Sequence, residues 1–124
     1  MSAEVIAAID SLTSLQDGWL EGHGVAPSRR NLDWLIEEVA KTFPVSLSHP
    51  SVTPTEEGNV ILEWISPDSR IELEVNFKEQ NLELYATDLT SDRFVEHSFG
   101  PGRWKEAFSK VATLLESWKW RADE

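Results

Sequence analysis

The fold is decided by residues 60–87, which read VILEWISPDSRIELEVNFKEQNLELYAT. Apolar and polar residues alternate here with a period of two, the pattern of β-strands that bury one face. Turn-forming residues interrupt the alternation at 66–69 (SPDS) and at 78–81 (KEQN), which predicts three strands joined by two hairpins. A fourth strand is predicted around Arg93–Phe99.

One register of the two hairpins places the apolar residues of all three strands on a single face. With Ile65 opposite Arg70, Leu62 falls opposite Leu73. In the next hairpin, placing Phe77 opposite Leu82 sets Val75 opposite Leu84 and Leu73 opposite Ala86. A slip of one residue would turn every apolar side chain of a strand to the other face. The agreement therefore supports an antiparallel meander.

Helical periodicity appears on both sides of this region. Apolar residues recur every three or four positions from Val5 to Leu15, from Leu32 to Phe43 and from Trp104 to Trp118. Residues 44–55 contain three prolines and are expected to be extended, with at most one edge strand. We therefore predict a single two-layer α+β domain over residues 1–124. It has two N-terminal helices and one C-terminal helix on one face of a four- or five-stranded antiparallel meander, in the order α-α-β-β-β-β-α.

The composition excludes several classes of function. The chain has 22 Asp and Glu against 11 Lys and Arg, a formal net charge of -11, and nucleic acids or anionic membranes would repel it. It has no Cys, so disulfides, thiol chemistry and thiolate metal sites are excluded. No apolar run approaches the ~20 residues of a membrane span, and no basic leader opens the chain. We expect a cytoplasmic protein that binds neither nucleic acid nor membrane.

The negative charge is concentrated in the predicted sheet. Residues 56–83 contain eight acids and two bases, whereas residues 103–121 contain five bases and two acids. The predicted register gathers glutamates on the outer face with apolar residues between them, as on a surface that binds a basic partner. A solvated acidic face is the alternative. The candidate partner-binding residues are Glu63, Glu72, Glu74, Glu83, Tyr85, Glu96 and Trp120.

The sequence contains no strong candidate for a metal, phosphate-binding or catalytic site. Asp17, Glu21, His23 and His49 have none of the regular spacings of a metal site. The loop Gly22-His23-Gly24 lacks the Lys and Ser/Thr of a phosphate-binding loop. His97 falls on the inner face beside Leu84 and is expected to be a core histidine. We therefore predict no catalytic residue, no metal ligand and no cofactor.

Three tryptophans lie off the apolar stripes. Trp34 is expected to cover a flank of the core or to face outward, and Trp19 to fold its glycine-rich loop back on the first helix. Trp120 is also off its stripe, and it is either an interface anchor or a packing residue.

Short motifs run from the first loop to the hairpins: Asp17-Gly18-Trp19 with the glycines after it, Pro27, Pro54-Thr55, Gly58-Asn59-Val60 and Leu62-Glu63-Trp64. In these motifs, over residues 12–90, the chain resembles a group of small bacterial proteins of unassigned function. The resemblance implies a bacterial origin and carries no catalytic residue across.

The leading hypothesis is a non-enzymatic acidic protein-binding module, with an antitoxin or immunity protein as its most concrete form. A secretion or folding chaperone acting as a homodimer is one alternative, and a small-ligand-binding protein or enzyme is another. The comparison with immunity proteins and type III secretion chaperones rests on size, acidity and element order alone.

Overall fold

The structure is a computed structural model that describes residues 2–122, with side chains described for residues 2–117. Its elements follow one another along the chain with short connections. They are α1 (Ala3–Asp10) with a 3-10 turn after it (Ser11–Ser14), α2 (Arg29–Thr42), β1 (Ser51–Pro54), β2 (Val60–Ser66), β3 (Ser69–Asn76), β4 (Asn81–Asp88), β5 (Arg93–Phe99) and α3 (Trp104–Ala122).

The five strands form one antiparallel sheet in the order β1-β2-β3-β4-β5. The predicted α+β fold is confirmed, and so is the register of the first hairpin, with Ile65 opposite Arg70 and Leu62 opposite Leu73. The predicted register of the second hairpin is wrong by two residues, because Leu73 lies opposite Leu84 and not opposite Ala86. A shift of two residues keeps every apolar side chain on the same face, so the alternation alone does not exclude it. The choice between four and five strands is resolved by β1, which lies in the proline-rich segment and adds a strand to the predicted element order.

Helix α2 shows how the local sequence sets the ends of an element. The side chain of Ser28 accepts a hydrogen bond from the backbone N–H of Asn31 at 3.1 Å, so Ser28 caps the N-terminus of the helix. The helix ends at Thr42, and Phe43 is extended because the ring of Pro44 disfavours a helical conformation in the residue before it.

The core lies between the helices and one face of the sheet. Leu62, Leu73 and Leu84 form a fully buried row across β2, β3 and β4, and Leu35 of α2 and Phe108 of α3 are equally buried. Burial of each such side chain contributes roughly 1.5–3 kcal/mol. In the described part of the chain, the helices pack on this one face and leave the other face of the sheet uncovered.

Trp34 covers a flank of this core, which is one of the two positions expected for it. Its ring packs edge-on against Phe77 and Trp104, with centroid distances of 6.0 and 5.9 Å. It is half-buried because it lies at the seam where α2 meets the end of β3 and the start of α3. Such edge-to-face pairs add about 0.5–1.5 kcal/mol beyond the area that they bury.

The loop after α1 closes on itself through Trp19. The backbone N–H of Gly18 donates to the carbonyl of Gly24 at 2.8 Å, and the Trp19 indole N–H donates to the carbonyl of Val25 at 3.2 Å. The Asp17 carboxylate accepts from the backbone N–H of Ala26 at 2.9 Å. The side-chain bonds explain the acid at 17 and the tryptophan at 19, and the φ of +88° at Gly18 explains the glycine between them.

The same loop is attached to the turn between β1 and β2. The N–H of Val25 donates to the carbonyl of Glu56 at 2.8 Å. A Cβ at Gly58, where φ is +86°, would lie 3.2 Å from a methyl carbon of Val25. Two motifs that are far apart in sequence, 17–19 and 58–60, therefore meet in one structural unit beside the first edge of the sheet.

We expect Gly24→Ala to destabilise the protein more than Gly22→Ala does. Both glycines have φ above +90°, so alanine strains both backbones by about 1–3 kcal/mol. Only at Gly24 would the new Cβ also meet the Trp19 ring, 3.0 Å from its indole nitrogen, whereas Gly22 has open space. Urea unfolding of both variants measures the difference, and equal losses of stability would contradict this account of the loop.

Candidate functional site on the outer face of the sheet

The outer face of the sheet is organised in three rows that run across the strands. The rows are Glu63-Glu72-Tyr85-Glu96, Ile61-Glu74-Glu83-Ser98 and Ile65-Arg70-Thr87-Phe94, each read from β2 to β5. The first two rows bring together the six predicted sheet residues. The seventh candidate, Trp120, lies outside the side chains that the structure describes.

Arg70 neutralises part of the negative charge in the row of glutamates beside it. Its guanidinium Nε lies 3.1 Å from a carboxylate oxygen of Glu63 and 3.9 Å from one of Glu72. Glu63 and Glu72 stand directly opposite each other, and Arg70 offsets part of their repulsion. Because the Arg70 side chain is 54% exposed, this contact contributes at most about 1 kcal/mol. Sequence reasoning placed Arg70 on this face but missed the pairing, which runs diagonally between strands.

Glu74 and Glu83 are a second pair of glutamates that face each other, on β3 and β4. Ser98 holds Glu83 through a hydroxyl that donates at 2.5 Å, and the Asn81 amide donates to the other carboxylate oxygen at 3.4 Å. Burial and the nearby charge of Glu57 are the main causes that raise the pKa of Glu74. The surroundings of Glu74 therefore disfavour its ionised form.

Tyr85 is the aromatic centre of the acidic rows. Burial, followed by the charges of the glutamates around it, raises the pKa of its hydroxyl. The hydroxyl therefore stays protonated and remains a hydrogen-bond donor among acceptors. An aromatic ring with a polar tip is well suited to a contact surface.

One end of the outer face is apolar. Ile65 on β2 and Phe94 on β5 are 61% and 58% exposed, and both belong to the row that contains Arg70. Leu89, in the loop from β4 to β5, is also exposed. The loop is tied to this end because the N–H of Leu89 donates to the carbonyl of Asp68 at 2.8 Å. The face thus combines a charged area with an adjoining apolar end.

The prediction of a buried His97 is wrong. His97 lies opposite Leu84 on the helix side of the sheet, but β5 is an edge strand and α3 leaves this position exposed. The His97 ring packs against Phe99 with centroids 4.5 Å apart. Both side chains line an open groove of about 520 Å³ between β5 and α3, whose other wall includes Lys105 and Lys110.

Within the described residues, no three His, Asp or Glu side chains form a group that could hold a metal ion. The described chain also lacks a helix of the length and hydrophobicity needed to cross a bilayer. No protein-family model, curated protein or solved structure matches this chain. The geometry of the outer face is therefore the main guide to function.

We expect Glu74→Gln to stabilise the protein at pH 7 by about 0.2–1 kcal/mol, the range for like charges on facing strands. A raised pKa means that the folded chain binds this proton more readily than the unfolded chain, so ionised Glu74 costs stability at neutral pH. The cost shrinks as the pH falls through the raised pKa of the folded state, and it is lost below the ordinary pKa of 4.5, where Glu74 is protonated in both states.

Urea unfolding from pH 4 to pH 8 checks this expectation, with Glu37→Gln on the exposed side of α2 as the control. The control should change stability by less than about 0.5 kcal/mol. A Glu74→Gln protein that is less stable at pH 7, or a difference that does not vary with pH, would contradict the account of Glu74.

Proposed function

We propose that this protein is a non-enzymatic binding module that acts in the cytoplasm and binds a basic protein through the outer face of its sheet. The observation that supports this most is the composition of the three rows, which hold five glutamates and one arginine. Arg70 is committed to Glu63 and Glu72, so the charge of Glu74, Glu83 and Glu96 is left to act on a partner.

The physical roles of the charged and apolar parts differ. Carboxylates steer a basic partner during its approach and exclude acidic ones, which raises the association rate more than the final affinity. Exposed Ile65 and Phe94 provide apolar area that is desolvated on contact, as anchor residues do. Tyr85 lies between these two parts and contributes both an aromatic ring and a donor.

The most concrete form of the proposal is an antitoxin or immunity protein whose partner is a basic toxin. Such a pair needs fast and tight capture, and an acidic face with an apolar end supports both requirements. The resemblance to small bacterial proteins implies only a bacterial origin. Both the resemblance and the antitoxin or immunity role stay predictions. The dimeric chaperone and the small-ligand-binding protein or enzyme also stay predictions.

The structure guides the choice of test. Reversing Glu63 or Glu72 would place a lysine beside Arg70 and disturb the sheet, so Glu74 and Glu83 are better targets. We expect the double variant Glu74→Lys/Glu83→Lys to weaken binding of the basic partner by roughly tenfold or more. The partner is captured from a cell lysate, purified and titrated calorimetrically at two salt concentrations.

The matched control is Glu37→Lys/Glu116→Lys, which changes the net charge equally on exposed positions of α2 and α3. It should change the affinity little, and high salt should weaken binding of the wild-type protein. Circular dichroism verifies that both variants fold. Equal affinity of the two double variants, or a purified partner that is not basic, would refute the outer face as the binding surface.

A further inference from the structure

The two edges of the sheet differ in how they are protected. At β1 the N–H of Thr55 donates to the carbonyl of Asn59, and hydrogen-bonded pairs alternate along an antiparallel ladder. The backbone groups of Val52 and Pro54 therefore point away from β2. Pro54 has no N–H to offer, and β1 is only four residues long, so this edge is poorly suited to further pairing.

At β5, in contrast to β1, the outward backbone groups are free to pair with a further strand. Leu89 bonds to Asp68 in the register that pairs β3 with β4, so alternate residues of β4 direct their backbone groups to β5. The same alternation holds between β4 and β5. The N–H and C=O groups of Phe94, Glu96 and Ser98 therefore point away from β4. In the part of the chain that the structure describes, no strand pairs with that side of β5.

β5 lacks two of the features that commonly keep an exposed edge from pairing, namely a short length and a proline or lysine. The strand is seven residues long and reads RFVEHSF, without proline or lysine, whereas exposed edges are commonly blunted by those residues. Six of its seven residues are exposed or half-exposed, and only Phe99 is buried. The strand therefore presents an open template of backbone donors and acceptors.

We infer that β5 accepts an additional strand, an extended basic segment of the protein partner. This inference rests on the proposed function and names the part of the partner that the site would recognise. Main-chain hydrogen bonds to Phe94, Glu96 and Ser98 would hold the segment, as in other proteins that bind peptides by strand addition.

The two sides of β5 specify different side chains in the added strand. A residue opposite Glu96 would lie on the acidic outer face, about 5 Å away, where lysine or arginine is favoured. A residue two positions along the segment would lie opposite exposed Phe94, where an apolar side chain is favoured. The residues between them would point to the helix side, into the groove that His97 and Phe99 line with Lys105 and Lys110.

A second copy of the chain fits this edge less well. Pairing of two β5 strands about a two-fold axis places both outer faces on the same side of one continuous sheet. The glutamates of both copies, Glu96 foremost, would then stand in the same or adjacent positions across the new pair, and like charges there are destabilising. A basic segment would instead place lysine or arginine opposite Glu96, and opposite charges there are stabilising.

The experiment uses a phage-displayed library of linear twelve-residue peptides selected on the whole wild-type protein. We expect enriched peptides to carry lysine or arginine two residues from an aromatic or aliphatic residue. The enriched peptides are then synthesised and titrated against Glu96→Pro and its matched control Glu96→Ala. Both variants lack the charge, but only proline lacks the outward N–H, so Glu96→Pro should bind roughly tenfold more weakly than Glu96→Ala.

A second measurement needs no variant. Amide hydrogen exchange of the wild-type protein should show that the N–H groups of Phe94, Glu96 and Ser98 exchange readily when free and become protected when the peptide binds. If no linear peptide is enriched, if both Glu96 variants bind equally, or if these amides stay unprotected, strand addition is wrong. A dimer seen by sedimentation and lost in Glu96→Pro would assign the edge to a second copy instead.

These outcomes are separate from those of the charge-reversal test. A partner whose binding falls with Glu74→Lys/Glu83→Lys but is the same for Glu96→Pro and Glu96→Ala would leave the acidic face as the binding surface and remove strand addition. If charge reversal has no effect, the proposed function fails as well.

Discussion

The buried row of Leu62, Leu73 and Leu84 is the constraint on which the rest of the structure depends. Successive side chains of a strand point to opposite faces, so fixing this row on the helix side also fixes what stands on the outer side. The three leucines together contribute several kcal/mol, whereas each facing pair of glutamates costs about 0.2–1 kcal/mol. The core therefore holds the acids in rows that they would not adopt by themselves.

The same constraint explains what the sequence could predict. Short turns and strict alternation determine β2, β3 and β4, the register of the first hairpin and the face on which the six sheet residues of the candidate site lie. They do not determine the register of β3 with β4, because a shift of two residues leaves the same side chains on each face. β1 was harder to predict because four residues next to proline carry almost no periodicity. The exposure of His97 depends on how far α3 extends across the edge strand, and the position of Arg70 between two glutamates depends on a diagonal contact. Both are tertiary features that no local pattern encodes.

A negatively charged surface and a positively charged surface meet at β5. On the outer side of this strand lie Glu96 and, one strand further in, Glu83. On the helix side, the groove beside His97 is bordered by Lys105, Lys110 and Glu106, and the carboxylate of Glu106 is paired with Arg103. A segment that lies along this edge would meet fields of opposite sign on its two faces, so its alternating side chains are selected independently. Neither a uniformly acidic surface nor a uniformly apolar one would give that discrimination.

The acidic face also explains why the open edge at β5 is tolerated. An unprotected edge strand invites pairing with other copies, which leads to aggregation, and the first edge of this sheet avoids that hazard with Pro54 and a short β1. At β5 the protection is electrostatic, because copies of the same chain bring glutamates toward glutamates. That protection leaves the backbone groups of Phe94, Glu96 and Ser98 accessible and repels only acidic strands. The charge that keeps copies of the chain apart thus leaves the edge available to a basic partner.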